Sequence, residues 1–466
     1  MNSKEDLFQN APVRKAVFQM AIPTVISSLV LVIYNMADTF FIGQTHDPLQ
    51  VAAVSLTNAV FVMYMAIAQL FGIGGSAVIS ILLGKGEKEK AKSASSFCFY
   101  GSLIFGIIAG IIIILFMDPI LAVLGSNHET YQYSKDYLYY IAIGAPFILL
   151  ANTFGHAVRG EGASRASMIG GMIGTIFNII LDPILILTFH MGTAGAAIAT
   201  VHNIEISSHK CEFSTAGAAI ATVLGNVFGC IYYIYFLVKK SQFMSLNFRD
   251  LKNCHSIAGN VLSIGIPAGI NSALMSISTI LLNNALIPYG DAAVAAMGIV
   301  TKVYLFIVFI HMGISNGIQP LLGYCYGSRN RKRFIDILKF SGILTVICGS
   351  ILTLVYIIFS RQIMGLFINN SEVIQYGIPM LIATSLAGPV LGLMFLAINS
   401  MQALNRPIPA TLLSLCRQGL FFIPFLFILN HLFGLNGINY TQTLSDYLTI
   451  FIAMFLLISS VKHTNF

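Results

Sequence analysis

Five ionisable residues lie inside long apolar stretches of this 466-residue chain: Asp38, Asp182, Lys302, Arg417 and Asp446. A bare carboxylate is disfavoured in a low-dielectric interior, so it carries a proton or accepts Na⁺ together with other oxygen ligands. Asn178 precedes Asp182 by four residues, which puts both side chains on one helical face. Asp38 and Asp182 therefore read as ion-handling groups, with fixed structural hydrogen bonding as the plainer alternative. Lys302 and Arg417 either line a cavity or pair with carboxylates and helix C-termini. Asp446 is expected near the cytoplasmic side of its apolar run, and the lone His156 and His311 read as packing residues. No G-x-x-x-x-G-K-[ST] phosphate loop occurs, and no His–carboxylate or His–Cys cluster offers catalysis. The seven cysteines are scattered and form no C-x-x-C, as expected of small apolar packing residues.

The stretches that carry these groups dictate the setting. Apolar residues make up 56% of the chain, charged residues 9%, and the mean hydropathy is +0.82. Soluble domains carry about 25% charged residues, so a water-soluble enzyme is excluded. The apolar runs exceed the ~20 residues that cross a bilayer as a helix. They group into about twelve spans: 14–42, 51–83, 93–117, 136–157, 166–190, 215–238, 257–287, 293–323, 334–360, 373–402, 407–430 and 438–461. The first run is too long for a cleaved signal peptide and holds Pro23, Asn35 and Asp38.

Twenty Lys and Arg residues fall in the tail regions and even-numbered loops, against three (Lys135, Lys210 and Arg361) in the odd-numbered loops. That bias predicts a plasma-membrane protein with both termini cytoplasmic. It also explains the net charge of +7 without a nucleic-acid partner. The partner is the lipid bilayer.

The chain repeats itself. Ile22-Pro23 and Ile266-Pro267 open spans one and seven, and Thr57 and Thr301 keep the same offset of 244. Ala145-Pro146 and Gly388-Pro389 follow at 243, and Gly192 and Gly434 at 242. An even number of spans per half makes this a parallel repeat, which usually holds a central site between two lobes. The expected fold is therefore an all-α polytopic membrane protein with about twelve helices in two six-helix lobes around a central cavity. The lobes are expected at 1–238 and 257–466, joined by a cytoplasmic linker at 239–256.

A nine-residue segment, Thr193 to Val201, recurs unchanged at Thr215 to Val223. Gly217 pairs with Gly437 at an offset of 220, so the C-terminal half carries one copy. The segment around 193–214 reads as a duplication with a polar external excursion. Its His202, His209 and Cys211 match no zinc spacing.

Several motifs resemble those of the multidrug and toxic compound extrusion (MATE) family, bacterial drug-efflux branch. They are Ile22-Pro23, Tyr34-Asn35 with Asp38 through Gly43, the Gly84–Lys92 loop, Arg159 through Arg165, and Asn178 through Pro183. The resemblance covers roughly residues 12 to 460. It implies two lobes that rock between inward-open and outward-open states. Organic cations and other amphipathic drugs would leave in exchange for inward Na⁺ or H⁺, with no bound cofactor and a monomeric chain.

Carried over residue by residue, the ion-coupling network would comprise Asp38, Asn178, Asp182 and the Thr that closes Ala-Ile-Ala-Thr. The duplication offers Thr200 or Thr222 for that Thr, and Thr222 is preferred because it leads into an apolar continuation. Asn152, Tyr34 and Asn35 are possible additions. No Asp or Glu occurs in 257–287, where some relatives place one, which favours coupling through the N-terminal lobe.

The alternative within the same wider exporter group is a flippase for lipid-linked oligosaccharides. It needs a cationic cavity, for which Lys302 and Arg417 are a thin case. A membrane-embedded enzyme or a simple pore is a third reading, opposed by the missing catalytic cluster and by the two-lobe repeat.

Overall fold

The computed structural model describes residues 3–43, 48–182, 184, 213–253 and 255–464. Thr200 and nearly all of the 193–214 segment lie outside the described residues, as do the side chains of Asn35 and Asp38. Among the described residues every regular element is helical.

The N-terminal half comprises α1 (Ser3–Gln9), α2 (Val13–Gly43), α3 (Pro48–Gly84), α4 (Lys88–Leu115), α5 (Met117–Val123), α6 (Tyr131–Gly160), α7 (Ser164–Asp182) and α8 (Phe213–Lys239). The C-terminal half comprises α9 (His255–Leu286), α10 (Asp291–Gly327), α11 (Arg331–Ile358), α12 (Ser360–Phe367), α13 (Ser371–Ser385), α14 (Gly388–Ala403), α15 (Pro407–Leu415), α16 (Phe422–Phe433) and α17 (Leu435–Lys462). Eleven stretches are single spans by length and hydropathy, and the pair α13 and α14, bent by 47°, makes a twelfth. This is a multi-pass membrane protein.

The bend between α13 and α14 has an identifiable chemistry. Pro389 has no N–H to donate, so carbonyls of the preceding turn lose helical partners. A side chain replaces the bond lost at Ser385, whose carbonyl accepts from Thr353 Oγ1 at 2.7 Å, and His311 Nε2 packs into the bend 3.1 Å from the Gly388 carbonyl. A Cβ at Gly349 would sit 2.1 Å from the Gly388 carbonyl, so only glycine permits this approach. The same Pro-containing signature at Ala145-Pro146 leaves α6 continuous.

The ends of the elements follow ordinary capping rules. Asn330 Oδ1 accepts from the Arg333 N–H at 3.0 Å and starts α11. Asn370 Oδ1 accepts from Glu372 and Val373 and starts α13. Such caps contribute about 1 kcal/mol each.

The apolar core divides unequally between the halves. One cluster around Met20, Ile79, Phe154, Ile318 and Phe334 is shared by both, at the end that carries the basic loops and both chain termini. Toward the other end the core separates. Tyr64, Leu121 and Leu138 pack within the N-terminal half, and Val300, Met364 and Leu381 within the C-terminal half.

The shared end is drawn tight by glycines where helix backbones touch. Gly74 on α3 faces the Val261 carbonyl of α9, and Gly265 on α9 faces the Leu70 carbonyl of α3; a Cβ at either would come within 2.0 Å of that oxygen. The short helix α1 closes over this end. Phe8 is 2% exposed and stacks on Tyr324 with ring centroids 4.7 Å apart. Arg333 donates to the carbonyls of Leu7 and Ala11.

Candidate functional site

Small residues let α7 and α8 approach closely enough to build a polar centre. A Cβ at Gly225 would lie 2.5 Å from the Gly174 carbonyl and 3.2 Å from Asn178 Cβ. The contact presses Asn178 against α8, where Thr222 points toward it. Asn178 Nδ2 donates to Thr222 Oγ1 at 3.2 Å. On its other side Thr222 Oγ1 lies 3.3 Å from Tyr34 Oη of α2, with either hydroxyl able to donate. Asn226 Nδ2 holds the Thr222 carbonyl at 2.8 Å, which fixes the turn that presents Thr222.

Asp182 is fully buried one turn beyond Asn178 on the same face of α7. Asn178 and Thr222 are 3% and 4% exposed. Asn178 Oδ1 is buried and has no hydrogen-bond partner among the described residues. A buried carboxylate one helical turn from an amide oxygen and a hydroxyl supplies donors of the kind that a desolvated monovalent cation requires, and the carboxylate can equally carry a proton.

Lys302 and His311 belong to the C-terminal half. Asn152 on α6 is half-buried and bonds the Ile148 carbonyl of its own helix. Asp38 lies one turn beyond Tyr34 on α2. Lys302 is exposed on α10. His311 is fully buried at the α13–α14 bend, where its ring serves packing and backbone satisfaction.

Arg417 takes the pairing alternative. Its Nε donates to Asp446 Oδ1 at 2.9 Å, with the two side chains 2% and 0% exposed. Asp446 lies near the middle of α17 and not toward its end at the basic face. Gln442 donates to the same carboxylate oxygen at 2.9 Å, and Tyr304 donates to the other at 3.2 Å. Sequence reading missed Gln442 and Tyr304. Only the repeat offset could have drawn attention to the first.

The family profile of MatE matches this chain twice, over residues 23–184 and 267–428. The chain belongs to the MatE family. The two MatE stretches stand 244 residues apart, the offset seen between Ile22-Pro23 and Ile266-Pro267.

The multidrug export protein MepA of Staphylococcus aureus is 32% identical over 453 residues, covering 96% of this chain and 94% of that protein. MepA of Staphylococcus haemolyticus is 31% identical, covering 97% and 95%. Among solved structures, a MATE in complex with MaL6 superposes with a TM-score of 0.90 at 22% identity, covering 99% of both chains. That likeness establishes the MatE fold for this chain: two six-helix lobes related by the internal repeat. Like its relatives, the protein is a transporter and not an enzyme.

Proposed function

We propose that this protein is a secondary active multidrug antiporter. It exports amphipathic, often cationic, small molecules in exchange for inward H⁺ or Na⁺. The observation that carries the reading is the cluster of buried Asp182, Asn178 and Thr222 with half-buried Tyr34, oxygen-bearing groups suited to a coupling ion. Asp38, one helical turn beyond Tyr34, belongs to the same centre in this reading. The likeness to the two staphylococcal multidrug export proteins supports the substrate class.

The lobes are residues 1–238 and 257–466, joined by 239–256, and both termini face the cytoplasm. The bundle is sealed at the end with the basic loops and divided at the other, as expected of a state open to the outside. Binding or release of the ion in the N-terminal lobe shifts the balance between this state and one sealed at the opposite end. Because ion and drug share one pair of states, each changes the affinity for the other.

Ethidium transport in proteoliposomes, driven separately by a Na⁺ gradient and a pH gradient, tests the proposal. Transport under one gradient alone names the coupling ion. Running the chain beside a version lacking 193–214 tells whether that segment impairs the cycle. Folded protein that transports under neither gradient, with or without the segment, would sink the antiporter reading and favour lipid-linked sugars as substrate.

A further inference from the structure

The two halves place polar centres at equivalent positions but balance their charge differently. At the offset of 220 that relates spans six and twelve, Thr222 corresponds to Gln442 and Asn226 to Asp446. At the offset of 244 Tyr34 corresponds to Ser278, while at offsets of 242 to 244 Asn178 falls on Leu420–Phe422 and Asp182 on Pro424–Leu426, all apolar. The C-terminal half thus has a buried carboxylate where the N-terminal half has an amide, and lacks the one on α7. Its carboxylate is matched by a guanidinium that has no basic counterpart, since offsets of 242 to 244 place Arg417 against Ile173, Gly174 or Thr175.

The backbone is distorted to deliver that guanidinium. Residues Cys416–Phe421 form a π-turn between α15 and α16, a rare widening that concentrates at functional sites. Carbonyls displaced by it are taken up by neighbours. Ser445 Oγ donates to the Arg417 carbonyl, and Ser278 Oγ to that of Gln418 at 3.0 Å. The Arg417 guanidinium also lies 5.3 Å from the centre of the Phe395 ring, a cation–π contact. Gln418 Oε1 is buried beside it without a partner among the described residues. Among those residues, the ionisable groups that reach Asp446 are Arg417 of the π-turn and Tyr304 of α10.

We infer that Asp446, with Tyr304 and Gln442, is a second monovalent-cation site that Arg417 occupies permanently as a tethered cation. Arg417 is a positioning and coupling-determining residue: it keeps the C-terminal lobe out of the ion cycle and confines exchange to the N-terminal centre. This rests on the antiporter reading only for that last consequence. The latent site itself stands on the C-terminal geometry.

Thermal unfolding of the purified full chain tests it, with Na⁺ titrated against choline and with pH varied. Arg417→Met, which leaves the Asp446 carboxylate without its tethered cation, is compared with Arg417→Met/Asp446→Asn, close in volume but lacking that carboxylate. The single variant is expected to gain about 2–4 °C in Tm on adding Na⁺ or lowering the pH, a response that the double variant lacks. The same difference is expected in an Asp182→Asn background, where the N-terminal centre is silenced. A failure of the antiporter reading would leave this comparison intact.

A single variant as indifferent to Na⁺ and pH as the double would overturn the inference. So would a double variant that folds while the single folds under no ionic condition.

Discussion

Gly84 and Gly327 lie against one another across the boundary between the two halves. A Cβ on Gly84 would stand 2.3 Å from the Tyr324 carbonyl, and one on Gly327 would stand 2.1 Å from the Ile81 carbonyl. The two glycines are 243 residues apart in sequence, as are Tyr324 and Ile81, so the contact is the internal repeat meeting its own image. Replacing Gly327 by Val forces the seam open at the sealed end. Overpacking of this kind costs about 1–3 kcal/mol. A lowered Tm together with strongly reduced ethidium efflux is expected, and unchanged efflux would show that the seam need not close.

Asp182→Asn and Asp38→Asn each keep volume while removing the charge that, in the proposed mechanism, holds a proton or Na⁺. Gradient-driven efflux is expected to fall by a factor of ten or more, on the order of 1.4 kcal/mol or above in the coupled step. The fold is expected to persist, checked by an unchanged elution profile and Tm. Full coupled export by either variant would remove that residue from the mechanism.

Thr222→Val is nearly isosteric but takes away the hydroxyl between Asn178 and Tyr34. It leaves Asn178 Nδ2 buried without an acceptor, at a cost of about 1–3 kcal/mol. The expected outcome is a modest drop in Tm with a much larger loss of coupling-ion affinity. Thr222→Ser, which keeps the hydroxyl, is expected to recover that affinity, a rescue that a purely steric role would not produce.

Asn370→Ala removes the cap of α13 far from the ion centre. It is expected to cost about 1 kcal/mol of stability. Transport per folded molecule is expected to stay at the wild-type level, measured as efflux normalised to monodisperse protein.

Phe8→Ala deletes the ring stacked on Tyr324 and buried beneath Gly162. With that anchor gone, α1 is expected to detach locally while the bundle remains folded. Limited proteolysis should then cleave within the first twelve residues at least several times faster than in wild type.

The bilayer made most of the architecture legible in advance. Spans of twenty or more apolar residues, Lys and Arg gathered on one face, and paired Ile-Pro openings are local signals, and the helices follow them. Asn178 and Asp182 could be matched because four residues on one helix share a face. Thr222 could be preferred over Thr200 from the apolar sequence that follows it, and the structure places Thr222 beside Asn178.

What escaped is chemistry between distant segments. Arg417 and Asp446 stand 29 residues apart on different helices, and the π-turn that joins them has no simple periodic signature. The bend at Gly388 shows the same limit. Ala145-Pro146 carries the same local signal yet α6 runs on, because the bend depends on Thr353 and His311 arriving from other helices.

The docking of α1 sets an order of events during synthesis. Gln9 bonds Tyr324 Oη at 2.6 Å, and the carbonyls of Leu7 and Ala11 await Arg333, partners 315 to 326 residues downstream. At ~5–20 residues per second, a ribosome needs about 15–65 s to supply them. Through that interval Phe8 lacks its stacking partner, and the stack marks the arrival of span eight. The first short helix to be made thus finds its place only once the second half of the chain has begun to emerge, and its protection from protease reports that both halves of the transporter have come together.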